Sequence, residues 1–403
     1  MCERDITGGR ERGSKRKKKE RCKSAFLSLE TNRNLSYPFP APSPEKPPPL
    51  NFLEFIAASP LLPSTGLSLA SIAANLPEWI SLSRVLADSL GFDSDRSSWT
   101  EPQRSRVFQY YLPVFFWVRA QLEDKKAREI AGSGAPSSEP LVVGIQAPQG
   151  CGKTTLVAEL ETLLASVGLR AASVSVDDFY LTFAGQQRLA AEHAGNPLLE
   201  LRGNAGSHDL ALGSETLERL VKGAAGKGGQ EQQEVALPRY DKSLNGGRGD
   251  RAPAASWPVV RAPVDVVLFE GWMLGFRPVG AARAAEVSPH LPAVDSFLEK
   301  YAAAWDSRCD SWLMVRASNG PQCVYSWRLQ AERQLREASG GKGMSDEQVK
   351  DFVDRFLPAY EAYLPGAAER GPPGSRKGRV LVVGVEDDRS LSRRQPGPPT
   401  GLE

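Results

Sequence analysis

Ala147-Pro148-Gln149-Gly150-Cys151-Gly152-Lys153-Thr154 follows the apolar run Leu141-Val142-Val143-Gly144-Ile145 and leads into a helical pattern over 155–167. A buried strand, a glycine-containing turn and Gly-Lys-Thr opening a helix form the arrangement that cradles a nucleoside triphosphate. Backbone N–H groups of the turn face the phosphates, and the helix N-terminus adds roughly half a positive charge. On this reading residues 147–155, Thr155 included, bind the nucleotide. Lys153 reaches the β- and γ-phosphates, and the Thr154 hydroxyl holds Mg²⁺. Ala147 stands where the usual pattern has glycine, and alanine is the smallest replacement. Cys151 has two readings: a thiol whose pKa falls beside a helix N-terminus, or a small filler residue.

Four further apolar runs, 171–176, 264–269, 312–315 and 379–385, alternate with helical or loop segments. Short apolar strands alternating with helices predict an α/β fold with a parallel sheet covered on both faces. Upstream, apolar residues from 51 to 130 recur at helical spacing. Val107, Tyr110, Tyr111, Val114, Phe115, Val118 and Leu122 form a broad face that reads as core. The basic run Lys15-Arg16-Lys17-Lys18-Lys19-Glu20-Arg21 and the proline-dense stretch 37–49 make 1–50 a disordered leader. The expected organisation is a leader at 1–50, a helical region at 51–135, a phosphate-loop domain at 136–390 and a disordered tail at 391–403. A Gly/Gln-rich loop is expected over 223–233.

Composition narrows the class. The chain has 403 residues, 41% of them hydrophobic, and a formal net charge of +2, so no global polyanion partner is implied. Residues 1–22 carry nine Lys/Arg against four Asp/Glu, a run that reads as a solvated tail. Five cysteines without metal-ligand spacing argue for a reducing compartment. Three histidines leave little scope for a histidine-based metal site. The uncharged stretch 55–77 is interrupted by Pro60 and Pro63 and reads as packed helices rather than a membrane span. No signal-peptide core is evident at the N-terminus.

The second strand runs into Asp177-Asp178-Phe179-Tyr180, and the third into Glu270-Gly271-Trp272. Ligands of open α/β sheets collect at the carboxyl ends of strands, so these acids fall near the phosphate loop. Asp177 suits acceptance of a proton from an attacking hydroxyl, with Lys153 as its catalytic companion. Glu270, with Thr154, suits Mg²⁺. A helix cap is the plainer reading of Asp177. Polar loops between the strands carry Arg202, His208, Arg239, Tyr240, Lys242 and Arg251, cations and donors that fit a small anionic acceptor. The helical segment 327–336 carries Arg328 and Arg333, which read either as a lid over the triphosphate or as a surface helix with Glu332 pairing to Arg336.

Taken together, the phosphate loop, Ser175-Val176-Asp177-Asp178-Phe179-Tyr180-Leu181-Thr182, Arg202-Gly203-Asn204-Ala205-Gly206-Ser207-His208-Asp209, Pro238-Arg239-Tyr240-Asp241-Lys242-Ser243 and Phe269-Glu270-Gly271-Trp272-Met273-Leu274-Gly275-Phe276 resemble the plant D-glycerate 3-kinases. The resemblance spans about residues 51–390, and its phosphate loop, Asp-Asp-Phe-Tyr and Phe-Glu-Gly elements are more distantly similar to uridine kinase, phosphoribulokinase and pantothenate kinase. It implies a P-loop kinase fold with five parallel strands in the order 2-3-1-4-5. It also implies transfer of the ATP γ-phosphoryl group to the 3-hydroxyl of D-glycerate with Mg²⁺, and Asp177 as the base. Plant members are photorespiratory chloroplast enzymes with a transit peptide, whereas Glu3, Asp5, Glu11 and the Lys/Arg block here are unlike an acid-poor leader and leave a cytoplasmic location open. The expected partner is the small molecule D-glycerate, with no nucleic acid and no membrane, and the chain is expected to act as a monomer. A uridine- or pantothenate-type kinase is the alternative within the fold, and a nucleotide-regulated binding protein the alternative outside it.

Overall fold

The computed structural model describes residues 51–134, 139–222, 233–338 and 343–402; the expected leader 1–50 and most of the expected Gly/Gln-rich loop lie outside the described residues. Five parallel strands form the central sheet: β1 (Leu141–Gln146), β2 (Ala171–Ser175), β3 (Val266–Gly271), β4 (Ser311–Ala317) and β5 (Val380–Val385). Their spatial order is β2-β3-β1-β4-β5, which is the 2-3-1-4-5 order implied by the resemblance. Every residue of β1, β3 and β5 is buried, as continuous apolar runs covered on both faces must be. The third strand is shifted two residues from its expected span, so Glu270 lies inside its carboxyl end.

Register places the chemistry. Ile145 of β1, Glu270 of β3 and Ser175 of β2 are neighbours in one row across the sheet. The phosphate loop leaves β1 just beyond that row, and Asp177 lies two residues past Ser175. The acids of two strands therefore converge beside the loop for reasons of pairing alone.

Helices Leu76–Leu90 and Leu112–Ser133 pack on Lys153–Ser166, the helix that follows the loop. All seven residues of the expected apolar face, Val107 to Leu122, are buried in the hydrophobic cluster that also contains the sheet. Lys125, 6% exposed, reaches from Leu112–Ser133 to Asp310 at 2.8 Å and to the Pro140 carbonyl at 2.9 Å. That ties the helix to the entry ends of β1 and β4. Two antiparallel ribbons, Gln233–Ala236 with Val259–Ala262 and Tyr240–Asp241 with Asp250–Arg251, fold within the segment expected to be loops.

The expected disordered tail is corrected by the structure: residues 391–402 pack on the edge of the sheet. β5 is an edge strand, and an edge leaves backbone groups open. Gln395 answers this by accepting from the Gly384 N–H at 2.8 Å and donating to its carbonyl at 3.2 Å. Gly384 has no side chain, and Pro396 lies where its Cβ would be, 2.8 Å away. The Gly401 N–H then donates to the Glu369 backbone carbonyl at 2.9 Å. A polar, proline-containing sequence reads as disordered, but one amide side chain and a glycine-shaped recess hold the segment.

Candidate functional site

The loop turns on two glycines with left-handed backbone, Gly150 at φ 83° and Gly152 at φ 90°. A Cβ on Gly150 would lie 2.6 Å from the Cβ of Trp327, so the residue is fixed by both conformation and space. Trp327 belongs to helix Cys323–Ala338. Arg389, in the loop after β5, donates to the Gly150 carbonyl at 2.6 Å and to Gln330 at 2.7 Å, with its guanidinium 5.5 Å from the Trp327 ring. The Gln149 N–H donates to the Tyr360 hydroxyl at 3.1 Å. Arg389 and Tyr360, which sequence reasoning missed, thus brace the loop from positions more than two hundred residues downstream.

Lys153 opens the helix and donates to Glu270. Burial alone would lower the Lys153 ammonium, but the charges of Glu270 and Asp177 outweigh it and raise its pKa. Thr154 is exposed on the same first turn. Cys151 is 6% exposed, and burial pushes its thiol up to about 11 despite nearby Lys153. Of its two readings this favours the small filler residue, because desolvation of the thiolate opposes the help from the neighbouring positive charge.

Past β2 the chain makes one short 3₁₀ turn, Val176–Phe179, capped by Ser175, which accepts from the Asp177 N–H at 3.3 Å. Residues three apart in such a turn lie on one side. Tyr180 accordingly donates its hydroxyl to Asp177 Oδ1 at 3.0 Å, while Lys242 donates to Oδ2 at 2.6 Å. Burial would raise this carboxyl, yet Lys242 and Lys153 hold it well below the usual carboxylate range. Asp178 points elsewhere. It accepts from Arg239 at 3.0 Å and from the Tyr240 N–H at 3.1 Å, pinning the start of the ribbon loop.

The six basic and aromatic candidates gather around Tyr180. His208 stacks on it at 4.7 Å and Tyr240 meets it edge-on at 5.3 Å. His208 is 5% exposed, with Nδ1 at 2.8 Å from the Tyr301 hydroxyl; burial, only partly offset by Asp177, takes its pKa down to about 4. It is a neutral wall residue at neutral pH. Arg251 pairs with Asp209 at 2.9 Å, and Arg239 with Asp178. Arg202 differs. Its guanidinium donates to the carbonyls of Gly247 and Arg248 and lies 5.4 Å from the Tyr240 ring, with no carboxylate in ion-pair range among the described residues. The arginines of the expected lid are engaged away from the loop: Arg328 with Glu332 at 2.8 Å and Arg333 with Asp346 at 2.7 Å. Arg336 also pairs with Asp346, at 2.6 Å, rather than with Glu332.

Oxygen donors suit a hard cation such as Mg²⁺. Among the described residues no cluster of three or more His, Cys, Asp or Glu side chains could hold a metal on protein ligands alone. Thr154, exposed on the first turn of the helix, and Glu270, bonded to the neighbouring Lys153, are oxygen donors that fit a cation bringing phosphate oxygens and waters with it.

A phosphate loop after the central strand, acids at the ends of β2 and β3 on one side of it and this strand order define a P-loop kinase. The chain is 44% identical over 340 residues to the chloroplastic D-glycerate 3-kinase of Arabidopsis thaliana, covering 84% of this chain and 72% of that one. It therefore belongs to the D-glycerate 3-kinase family. A solved structure of D-glycerate 3-kinase from Cryptococcus neoformans superposes with a TM-score of 0.60 at 32% identity, covering 69% of this chain and 97% of that one. A probable ATP-dependent kinase of Saccharomyces cerevisiae, TDA10, is 34% identical over 259 residues, 62% of this chain and 87% of the relative. No protein-family model matches the chain.

Proposed function

We propose that the chain transfers the γ-phosphoryl group of ATP to the 3-hydroxyl of D-glycerate, giving 3-phosphoglycerate and ADP. The observation that carries this reading is the single cluster formed by Lys153, Glu270, Asp177 and Lys242 at the carboxyl ends of β1 to β3. Kinship with the Arabidopsis enzyme supports the choice of acceptor. Residues 147–155 wrap the polyphosphate, and Lys153 leaves Glu270 to meet the β- and γ-phosphates. Thr154 and Glu270 would hold Mg²⁺, which neutralises phosphate charge when bound.

Arg202 is the residue best suited to the glycerate carboxylate, since Arg239 and Arg251 already have carboxylate partners. Asp177 orients the 3-hydroxyl and takes its proton as the hydroxyl oxygen bonds to the γ-phosphorus and the bond from that phosphorus to the β-phosphate oxygen breaks, releasing ADP. A carboxylate held so far below its usual range is a weak proton acceptor, so alignment of the hydroxyl is the larger part of its work. Tyr180 and Lys242 fix its two oxygens. A chloroplast setting rests on the Arabidopsis relative, and a photorespiratory one on the family resemblance alone. The test is ADP release with D-glycerate, uridine and pantothenate offered separately. Turnover with glycerate alone is expected, and preference for either other acceptor would overturn the assignment.

A further inference from the structure

A cavity of about 560 Å³ opens at the carboxyl end of β4, between that strand, the turn 320–322 and helix Leu357–Arg370. Its volume falls in the range of about 300–1,000 Å³ found for small-molecule sites. Much of its wall is apolar, with Val315, Leu357, Leu364, Pro365 and the Tyr360 ring. None of Lys153, Thr154, Asp177, Glu270 or the basic loop residues lines it; of the phosphate loop only Pro148 does. Tyr360 packs on Trp272 at 4.9 Å, Trp272 on Phe356 at 5.2 Å, and Phe356 lies against Gly203. These rings stand between the cavity and the acceptor loop.

One group on the wall lacks its counter-charge. Arg316 donates Nη2 to the Ala367 carbonyl at 3.1 Å, and its Nε is buried without a partner. No carboxylate lies within ion-pair distance of it among the described residues. A guanidinium partly withdrawn from water with no counter-charge beside it is costly until an anion meets it. The turn 320–322, also on the wall, leads straight into the sixteen-residue helix Cys323–Ala338, whose N-terminal end favours negative charge. Glu361, exposed at the same wall, opposes a multiply charged ligand.

We propose that this cavity is a second small-molecule site, which takes an organic monoanion with an apolar body. The carboxylate or sulfonate meets Arg316, and the body lies against Leu357, Tyr360 and Leu364. Because Pro148 lines the cavity and Tyr360 accepts from the Gln149 backbone N–H, the occupant touches the edge of the phosphate loop without entering the nucleotide site.

The test titrates the full chain with 8-anilinonaphthalene-1-sulfonate, followed by fluorescence, in saturating Mg²⁺ and a non-hydrolysable ATP analogue. N-phenyl-1-naphthylamine, the same body without the anion, is titrated in parallel. The sulfonate should bind at one saturable site, about tenfold or more tighter than the neutral compound. Arg316→Met should abolish that preference, and Leu364→Trp should weaken both probes about tenfold by filling the space. Cooperative thermal melting is checked for each variant, and Leu364→Trp carries the test where Arg316→Met does not fold. A preference unchanged in Arg316→Met, affinities unchanged in Leu364→Trp, or no saturable binding of the sulfonate in the presence of the nucleotide analogue would each overturn the proposal.

Discussion

Asp177 is held by two partners before any acceptor arrives, and this makes its chemistry testable in two steps. Asp177→Asn keeps the size and removes the charge, so kcat should fall about 10²- to 10⁴-fold with Mg-ATP binding retained. Loss of Mg-ATP binding instead would move the residue to the metal site. Lys242→Met removes the cation that does most to hold this carboxyl down, leaving burial to raise it. The acid limb of kcat/KM should therefore move to higher pH, and an unmoved limb would show that Asp177 does not govern it. Arg202→Ala should raise the glycerate KM strongly and the ATP KM little, with smaller effects from Arg239→Ala and Arg251→Ala, whose partners are internal. Lys153, Asp177 and Glu270 were legible in the sequence because each sits at a fixed distance past an apolar strand. Arg389 and Tyr360 were not. Their meaning depends on the loop they touch across more than two hundred residues, and nothing local in the sequence marks them.

The phosphate loop and helix Cys323–Ala338 behave as one element, since Gly150 sits directly on Trp327. Gly150→Ala meets two penalties, a left-handed backbone and a Cβ 2.6 Å from that of Trp327. It should cost on the order of 1–3 kcal/mol in stability and lose nucleotide affinity as the loop shifts. Adding Trp327→Gly removes the contact but not the backbone strain, so the pair should recover only part of the affinity; no recovery would mean that the steric contact is immaterial. Calorimetric titration with Mg-ADP reads both variants. The five strands of the sheet were readable as apolar runs, because buried parallel strands show as unbroken hydrophobic stretches, whereas their order came from the family likeness alone. The arginines of Cys323–Ala338 were ambiguous for the opposite reason. Helical spacing puts Arg328 near Glu332, but Asp346, the partner of both Arg333 and Arg336, comes from the next helix, which spacing does not reveal.

Across the whole molecule two buried groups pull stability in opposite directions with pH. His208 titrates at about 4 in the fold against an ordinary value near 6.5, so the unfolded chain binds the extra proton between those values. Its contribution is complete above about pH 6.5 and is lost as pH falls toward 4. Asp306, 1% exposed and accepting from the Gly275 N–H at 3.2 Å, is pushed by burial up to about 8. Here the folded chain holds the proton, so the contribution is complete below about pH 4 and is lost as pH rises to 8. The two effects oppose each other from about pH 4 to 6.5, and from about 6.5 to 8 Asp306 acts without that opposition. Over that upper window its loss amounts to about 2 kcal/mol. Asp306→Asn can still accept from Gly275 but cannot ionise, so the decline between about pH 6.5 and 8 should flatten even if the absolute stability shifts by a constant. Urea unfolding across that range decides it: a slope in Asp306→Asn equal to that of the unsubstituted chain would remove Asp306 as its source. His208→Gln tests the other half, since without the histidine the fall in stability with rising pH should extend unopposed down to about pH 4.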